Sequence, residues 1–430
     1  MQGFNASWIK RLVVALALGT AWAVRGQFGH EHGAAWAGGI GVLTLLILSR
    51  RQDWYSRLPS IVALGALGWG VGGMMSYGVV VGYGRGVDWL NVSYGLCMLF
   101  VIGGLYGFIG GGLTGLALES SETRKPAWPL LITQMVVGGY LIWGILIYQL
   151  EWLMTPPRSE LWAGCLGAAL ALGWFMYRGY FYRSLSVALY SALGAGFGFA
   201  FGNFLQVVGS NSNIDFNWWN VMEYSLGFFG GLGMAYAVYA QNWPRSRHPD
   251  IKANQLGWIF LIILLPITNL VQRFDSESIK AIAERNVIAN AIDFVNFELS
   301  LAWGVSLLLI VALTLFFWQR INQQKPWKSE YGWWLLMVYL GWYIALSNLL
   351  TGAWWGYGSL RDGLYWINAI VIFVLGNYAI RFAPPPLSAP VNINKGLRLA
   401  VTLLLLLLVL SWILVNSHGE MPGSQIRFSV

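Results

Sequence analysis

Apolar residues run along this chain in long blocks, each closed by a short polar stretch. Thirteen blocks are long enough to be read as spanning helices: 9–25, 33–49, 59–82, 93–118, 127–150, 160–179, 184–206, 218–241, 255–273, 297–319, 331–352, 363–381 and 396–416. A helix needs roughly 20 apolar residues to cross a bilayer. Several blocks contain Gly or Pro, which membrane helices tolerate when neighbours satisfy the backbone. The pattern predicts an all-α polytopic transmembrane bundle of about thirteen spans. One connection is different. In 274–296, Ile279, Ile282, Ile288, Ile292 and Val295 alternate with Lys280, Glu284, Arg285 and Asp293, which reads as an amphipathic helix on the membrane surface or over a cavity.

Charge orients the bundle. The basic residues Lys10, Arg11, Arg50, Arg51, Arg57, Arg124, Lys125, Arg178, Arg183, Arg245, Arg247, Lys252, Arg320, Lys325, Lys328, Arg381, Lys395 and Arg398 all flank alternate loops. Thirteen of the 18 acidic residues fall on the other side. Short basic loops stay in the cytoplasm. The N-terminus is then expected inside, the C-terminus outside, and the chain in a bacterial inner or plasma membrane. The first block resembles a signal sequence but continues into helix-packing small residues, so it is read as a retained helix. Composition agrees: 57% of residues are hydrophobic and 10% charged, against about a quarter charged in soluble domains. The net charge of +8 follows from the loop bias and needs no nucleic-acid partner. Cys97 and Cys165 lie inside apolar blocks and suggest no disulfide framework.

Glycine divides the chain. Forty-one of the 53 glycines precede residue 246. Small residues let membrane helices approach closely, so residues 1–245 are expected to form a tight inner bundle of about eight spans. Residues 246–430, with about five, are expected around it. The first part also holds an internal repeat. Ala63-Leu64-Gly65 precedes Trp89-Leu90-Asn91-Val92 by the same interval that separates Ala192-Leu193-Gly194 from Trp218-Trp219-Asn220-Val221. Glu31 and Glu223 each precede a Gly-Gly-x-Gly run at equal spacing. Both begin even-numbered spans, so the repeat is parallel and puts two carboxylates at similar depth near the outer face.

The chemistry-bearing residues gather on that face. Arg25, Gln27, His30, Glu31 and His32 crowd one turn. A turn needs glycine, not this many ionisable groups at the edge of hydrocarbon, where they are expensive. Glu31 and Glu223 are the candidate acid and base, with His30 and Arg25 setting their protonation. His30 and His32 share a face only in extended structure, and no third ligand is near in sequence, so no metal and no cofactor is expected. Arg85, Asp88, Trp89 and Asn91 form a second group. Asn203, Gln206, Asp215, Trp218, Trp219 and Asn220 form its repeat-related counterpart, and Arg361 and Asp362 a third, beside Trp354, Trp355 and Tyr357. Amides and carboxylates among indoles suit polyhydroxylated ligands. An interfacial aromatic belt accounts equally well for the tryptophans.

The first expectation is a membrane-embedded hydrolase or transferase acting on a glycan or lipid-linked sugar. Its two carboxyl groups would stand about 5–5.5 Å apart for retention of configuration, or about 6.5–9.5 Å apart for inversion. The alternative is a secondary transporter of a small polar or sugar-like solute, proton-coupled through a glutamate. A third reading is a non-catalytic subunit of a membrane assembly. No phosphate loop, nucleophile elbow or Cys-x-x-Cys motif is present.

Overall fold

The computed structural model describes residues 2–323, 328–355, 360–382 and 392–428. Among these there is no strand. The helices run α1 (Gln2–Arg25), α2 (Glu31–Ser49), the short α3 (Gln52–Tyr55), α4 (Leu58–Gly72), α5 (Gly78–Tyr83), α6 (Trp89–Glu119) and α7 (Trp128–Trp143). They continue with α8 (Leu161–Arg178), α9 (Tyr182–Ser210), α10 (Trp218–Tyr239), α11 (Ile251–Trp258), α12 (Leu265–Arg273), α13 (Ser276–Arg285), α14 (Ala291–Asn322), α15 (Ser329–Thr351), α16 (Leu360–Ala379) and α17 (Ile393–Val415). A π-helical turn, Gly144–Gln149, extends α7, and another, Ile259–Leu264, joins α11 to α12. Every apolar block of the sequence is helical over most of its length. Nine helical stretches among the described residues are long and apolar enough to cross a membrane. The chain is a polytopic helical membrane protein by that measure.

Two elements depart from the pattern. The block 59–82 is not one helix: α4 stops at Gly72, residues 73–77 turn, and α5 restarts at Gly78. Gly72, Gly73 and Gly78 flank this break. A Cβ on Gly73 would lie 2.3 Å from the carbonyl oxygen of His30, so the break is pressed against the turn between α1 and α2. The amphipathic connection is helical in α13, which Asp275 caps by accepting from the Ser278 amide at 2.8 Å. Ile279, Ile282 and, in α14, Val295 are buried, whereas Ile292 is 75% exposed.

Helix packing rests on backbone approach. A Cβ on Gly107 of α6 would sit 2.2 Å from the Ser191 carbonyl of α9, and one on Gly233 of α10 would sit 2.0 Å from that of Tyr190. Lipid tails give helices no hydrophobic reason to associate, so this close contact is where dispersion energy is gained. Helices α1, α2, α4, α6, α9 and α10 form the centre. Burial does not follow the boundary at residue 245 strictly. α7 with its π extension is peripheral, while α15 is packed into the core, where Tyr343 stacks on Trp36 of α2 at 4.7 Å.

Tertiary contacts sort the loops into two ends. At the basic end, Arg51 reaches the carbonyls of Trp243 and Pro244, Arg50 that of Arg381, and Arg124 that of Tyr180. Asp53 accepts from Arg51 and from the Ser246 amide. Burial opposes its charge, but these bonds prevail and hold the carboxyl below its ordinary value. Arg57, fully enclosed, donates to the Ala117 and Ser120 carbonyls and to Ser246 Oγ. Glu119, equally buried, accepts from the Ser184 amide and hydroxyl and from Arg183.

Candidate functional site

The acidic end is organised around Arg25. The chain leaves α1 at this residue and reverses through Gly29, whose φ of +88° favours glycine. It re-enters helix at Glu31. A Cβ on Gly33 would lie 2.8 Å from the Arg25 carbonyl oxygen, so the reversal is tight. It is braced from behind: Tyr343 donates to the Gly33 carbonyl at 3.0 Å and stacks on Phe28 at 4.7 Å. Arg273, at the end of α12, donates to the Gln27 carbonyl at 2.6 Å.

This bracing turns the Arg25 side chain into the bundle. Its Nη2 donates to Glu223 Oε2 at 2.6 Å and to Tyr77 Oη at 2.7 Å. Tyr77 Oη donates to Glu223 Oε1 at 2.7 Å. The three groups close a hydrogen-bonded ring from three separate elements: the end of α1, the break before α5, and the second turn of α10. All three residues are buried. Charge cancels between Arg25 and Glu223, which is what permits both to be enclosed. Aromatic rings wall the ring of bonds. The guanidinium lies 5.0 Å from the Trp22 ring, Trp22 meets Trp69 and Tyr106 edge-on at 5.2 Å each, and Trp219 stacks on Tyr77 at 6.3 Å.

Donors outnumber acceptors here. Arg25 Nε, Trp22 Nε1, Trp69 Nε1 and the Tyr106 hydroxyl are buried and have no hydrogen-bond partner. Native proteins leave few buried polar atoms unpaired. Nearby, Asn203 of α9 donates to Gln206 Oε1 at 3.0 Å while its own Oδ1 has no partner. His30 stands at the rim, exposed on one side, with its ring edge-on to Tyr77 at 5.4 Å. Desolvation on the Tyr77 side, then the Arg25 charge, hold its imidazole below the ordinary value.

The sequence-predicted residues thus separate. Arg25 and Glu223 come together, with His30 and Trp219 beside them. Glu31 is exposed at the first turn of α2 and takes no part in the hydrogen-bonded ring; the structure pairs Glu223 with an arginine, not with a second carboxylate. His32 and Gln27 are half-buried in the turn. Asp215 is exposed in the loop before α10. Trp218 donates to the Ile214 carbonyl and packs under Gly209. Asp88 and Asn217 are helix caps, accepting from the amides of Asn91 and Asn220 at 2.8 and 3.0 Å. Asn220 donates to the Tyr365 hydroxyl at 2.5 Å, and Trp89 to the Leu408 carbonyl. Arg85 and Asn91 hold the chain's own residues 422–428. Asp362 is buried and accepts from Thr351. The Arg361 side chain and Tyr357 lie outside the described residues.

Tyr77, Tyr106, Trp22 and Trp69 are the functional candidates that periodicity does not single out, since aromatic residues inside apolar blocks read as core. Tyr77 alone offers a signal: it follows Ser76 in the glycine-flanked part of an apolar block and is bracketed by Gly73 and Gly78. No family model, curated protein or solved structure matches this chain.

Proposed function

We propose that the protein is a secondary transporter of a small polar or sugar-like solute, with Arg25, Glu223 and Tyr77 as its binding and coupling groups. The observation that carries this reading is the buried ring of three polar groups with surplus donors, set at a helix break. Discontinuous helices in transporters expose backbone and polar side chains to a substrate inside the bundle, and irregular backbone at membrane depth is tolerated only where protein or a cavity covers it. The α4–α5 break is such a discontinuity, placed in this reading toward the outer end of the bundle, where it is pressed against the α1–α2 turn. A donor-rich wall fits a solute rich in acceptors, such as a sugar or a carboxylate. At the opposite end a cavity of about 670 Å³, lined by Glu119, Arg124, Tyr182, Arg183 and Gln241 among others, opens between α9 and the start of α17, and in this reading serves as the inward vestibule of an alternating-access cycle. In this reading the chain crosses the membrane thirteen times, with the basic end cytoplasmic and the Arg25 site toward the outside. The two halves of the Gly-rich region are then parallel repeats, sharing the cap-plus-asparagine geometry of Asp88/Asn91 and Asn217/Asn220.

The second reading, a glycan hydrolase using Glu31 and Glu223, is favoured by Trp219 stacking beside Tyr77. Against it, both Glu223 oxygens are engaged and Glu31 stands outside the ring.

The test is reconstitution into pyranine-loaded liposomes, challenged with hexoses, pentoses, polyols and small carboxylates, with uptake of each radiolabelled solute measured in parallel. The reading expects solute-driven internal acidification that Glu223→Gln abolishes while the protein stays monodisperse. Release of p-nitrophenol from p-nitrophenyl glycosides, lost in Glu31→Ala and unaccompanied by uptake, would establish the hydrolase instead.

A further inference from the structure

Residues 421–428, after α17, do not trail away from the molecule. They run across the corner between α5 and α6, attached almost wholly through main-chain atoms. The Asn91 side chain reads this backbone on both sides. Its Oδ1 accepts from the Arg427 amide at 2.6 Å and the Phe428 amide at 2.9 Å, and its Nδ2 donates to the Phe428 carbonyl at 3.0 Å. Asp88 fixes the asparagine amide by accepting from the same Nδ2 at 2.8 Å. The Gln425 amide donates to the Gly82 carbonyl on α5 at 3.0 Å, and Arg85 donates to the Pro422 carbonyl at 3.3 Å. The corner is shaped for this approach. A Cβ on Gly82 would lie 2.5 Å from Gln425 Cγ and 2.8 Å from the Gly423 carbonyl oxygen. Side-chain contributions are few: Phe428 meets Tyr94 edge-on at 5.4 Å, and Arg427 lies over the same ring.

A segment held this way buries little. Ile426 is 78% and Phe428 38% exposed, so hydrophobic burial does not anchor it. Segments with few buried apolar contacts open at low free energy. Its foothold is on α5, a helix of only six residues whose N-terminal flank is Tyr77. The same helix is touched from inside by Asn203, which donates to the Val81 carbonyl.

We propose that the α5–α6 corner is a binding site for a turned peptide main chain, filled by the chain's own residues 421–428 as a reversible latch, and that release of the latch loosens α5. Asn91, Asp88, Arg85 and Gly82 form the site. It recognises main chain, so it tolerates changes in the side chains of the segment. The latch stands on its own geometry and does not depend on which solute, if any, the Arg25 site takes.

Hydrogen exchange followed by mass spectrometry on the full chain in nanodiscs tests this. In the wild type the amides of Gln425, Arg427 and Phe428 are expected to exchange at least tenfold more slowly than an unstructured peptide, yet faster than the core of α6. Asn91→Ala removes the clamp and Gly82→Ala intrudes on the segment while favouring helix in α5. Each is expected to bring those amides to the unstructured rate, and Asn91→Ala is also expected to speed exchange in Val80–Tyr83. Gly82→Ala keeps the test decisive if Asn91→Ala disturbs the start of α6. Unstructured rates in the wild type overturn the site. Protection that survives both variants overturns the assigned contacts. Protection equal to that of α6 overturns reversibility, and unchanged exchange in Val80–Tyr83 overturns the coupling to α5.

Discussion

The most direct consequence of the Arg25–Glu223–Tyr77 ring is energetic coupling between two residues 198 positions apart. Glu223 accepts two hydrogen bonds in the ring, at 2.6 and 2.7 Å. Glu223→Leu removes both and leaves the guanidinium enclosed with Tyr77 Oη as its sole remaining partner. Stranding one member of a buried ion pair costs about 3–5 kcal/mol. Arg25→Met strands the carboxylate in the same way and is expected to cost a similar amount. The double variant leaves no buried charge; what remains is a tyrosine hydroxyl without its partners, worth about 1–3 kcal/mol. The double variant is therefore expected to be more stable than either single one, with a coupling energy of at least about 3 kcal/mol from the same figures. The assay is a double-mutant cycle in denaturant, followed by tryptophan fluorescence in a fixed detergent. Additivity of the two substitutions within about 0.5 kcal/mol would refute the ring as a coupled unit, as would a Glu223→Leu protein as stable as wild type.

Three further expectations follow from packing and charge. Gly233→Ala forces a Cβ against the Tyr190 carbonyl, which as backbone cannot turn aside, and is expected to lose about 1–3 kcal/mol. Gly304→Ala, also helical but with open space around it, is expected to be neutral or to gain up to about 1 kcal/mol; equal effects in thermal melts would contradict the packing account. Arg57→Met leaves the Ala117 carbonyl and Ser246 Oγ without their donor and the Ser120 carbonyl with the Arg247 amide alone, and is expected to cost roughly 2–3 kcal/mol. Trypsin should then cut faster at Arg245 and Arg247, and an unchanged cleavage rate would count against the clamp. The His30 imidazole is held below its ordinary pKa of 6.5 by desolvation and the Arg25 charge. The unfolded chain therefore takes up that proton first as pH falls, so stability is complete above about pH 6.5 and declines below it. His30→Gln should remove this part of the decline; identical slopes of melting temperature between pH 5 and 6.5 in both proteins would exclude the contribution.

The sequence alone determined that the chain is helical and membrane-spanning, because apolar blocks of bilayer length admit no other way of satisfying the backbone. It also singled out Arg25, His30 and Glu223, because ionisable groups at the edge of hydrocarbon are too costly to be incidental. Glu31, which the sequence paired with Glu223, stands outside the ring, and the groups bonded to Glu223 are Arg25 and Tyr77. Equal spacing from a glycine run placed two carboxylates on the same end, but which partner Glu223 takes depends on where the α4–α5 break directs a tyrosine. Asn91 shows the same limit: its type announced hydrogen bonding, yet its partner lies 337 residues away along the chain. Local pattern reports what a residue needs, a buried charge its counter-charge and an amide its acceptor and donor. Which group meets that need is settled when remote helices pack, since close approach through glycine, not sequence distance, decides the neighbours.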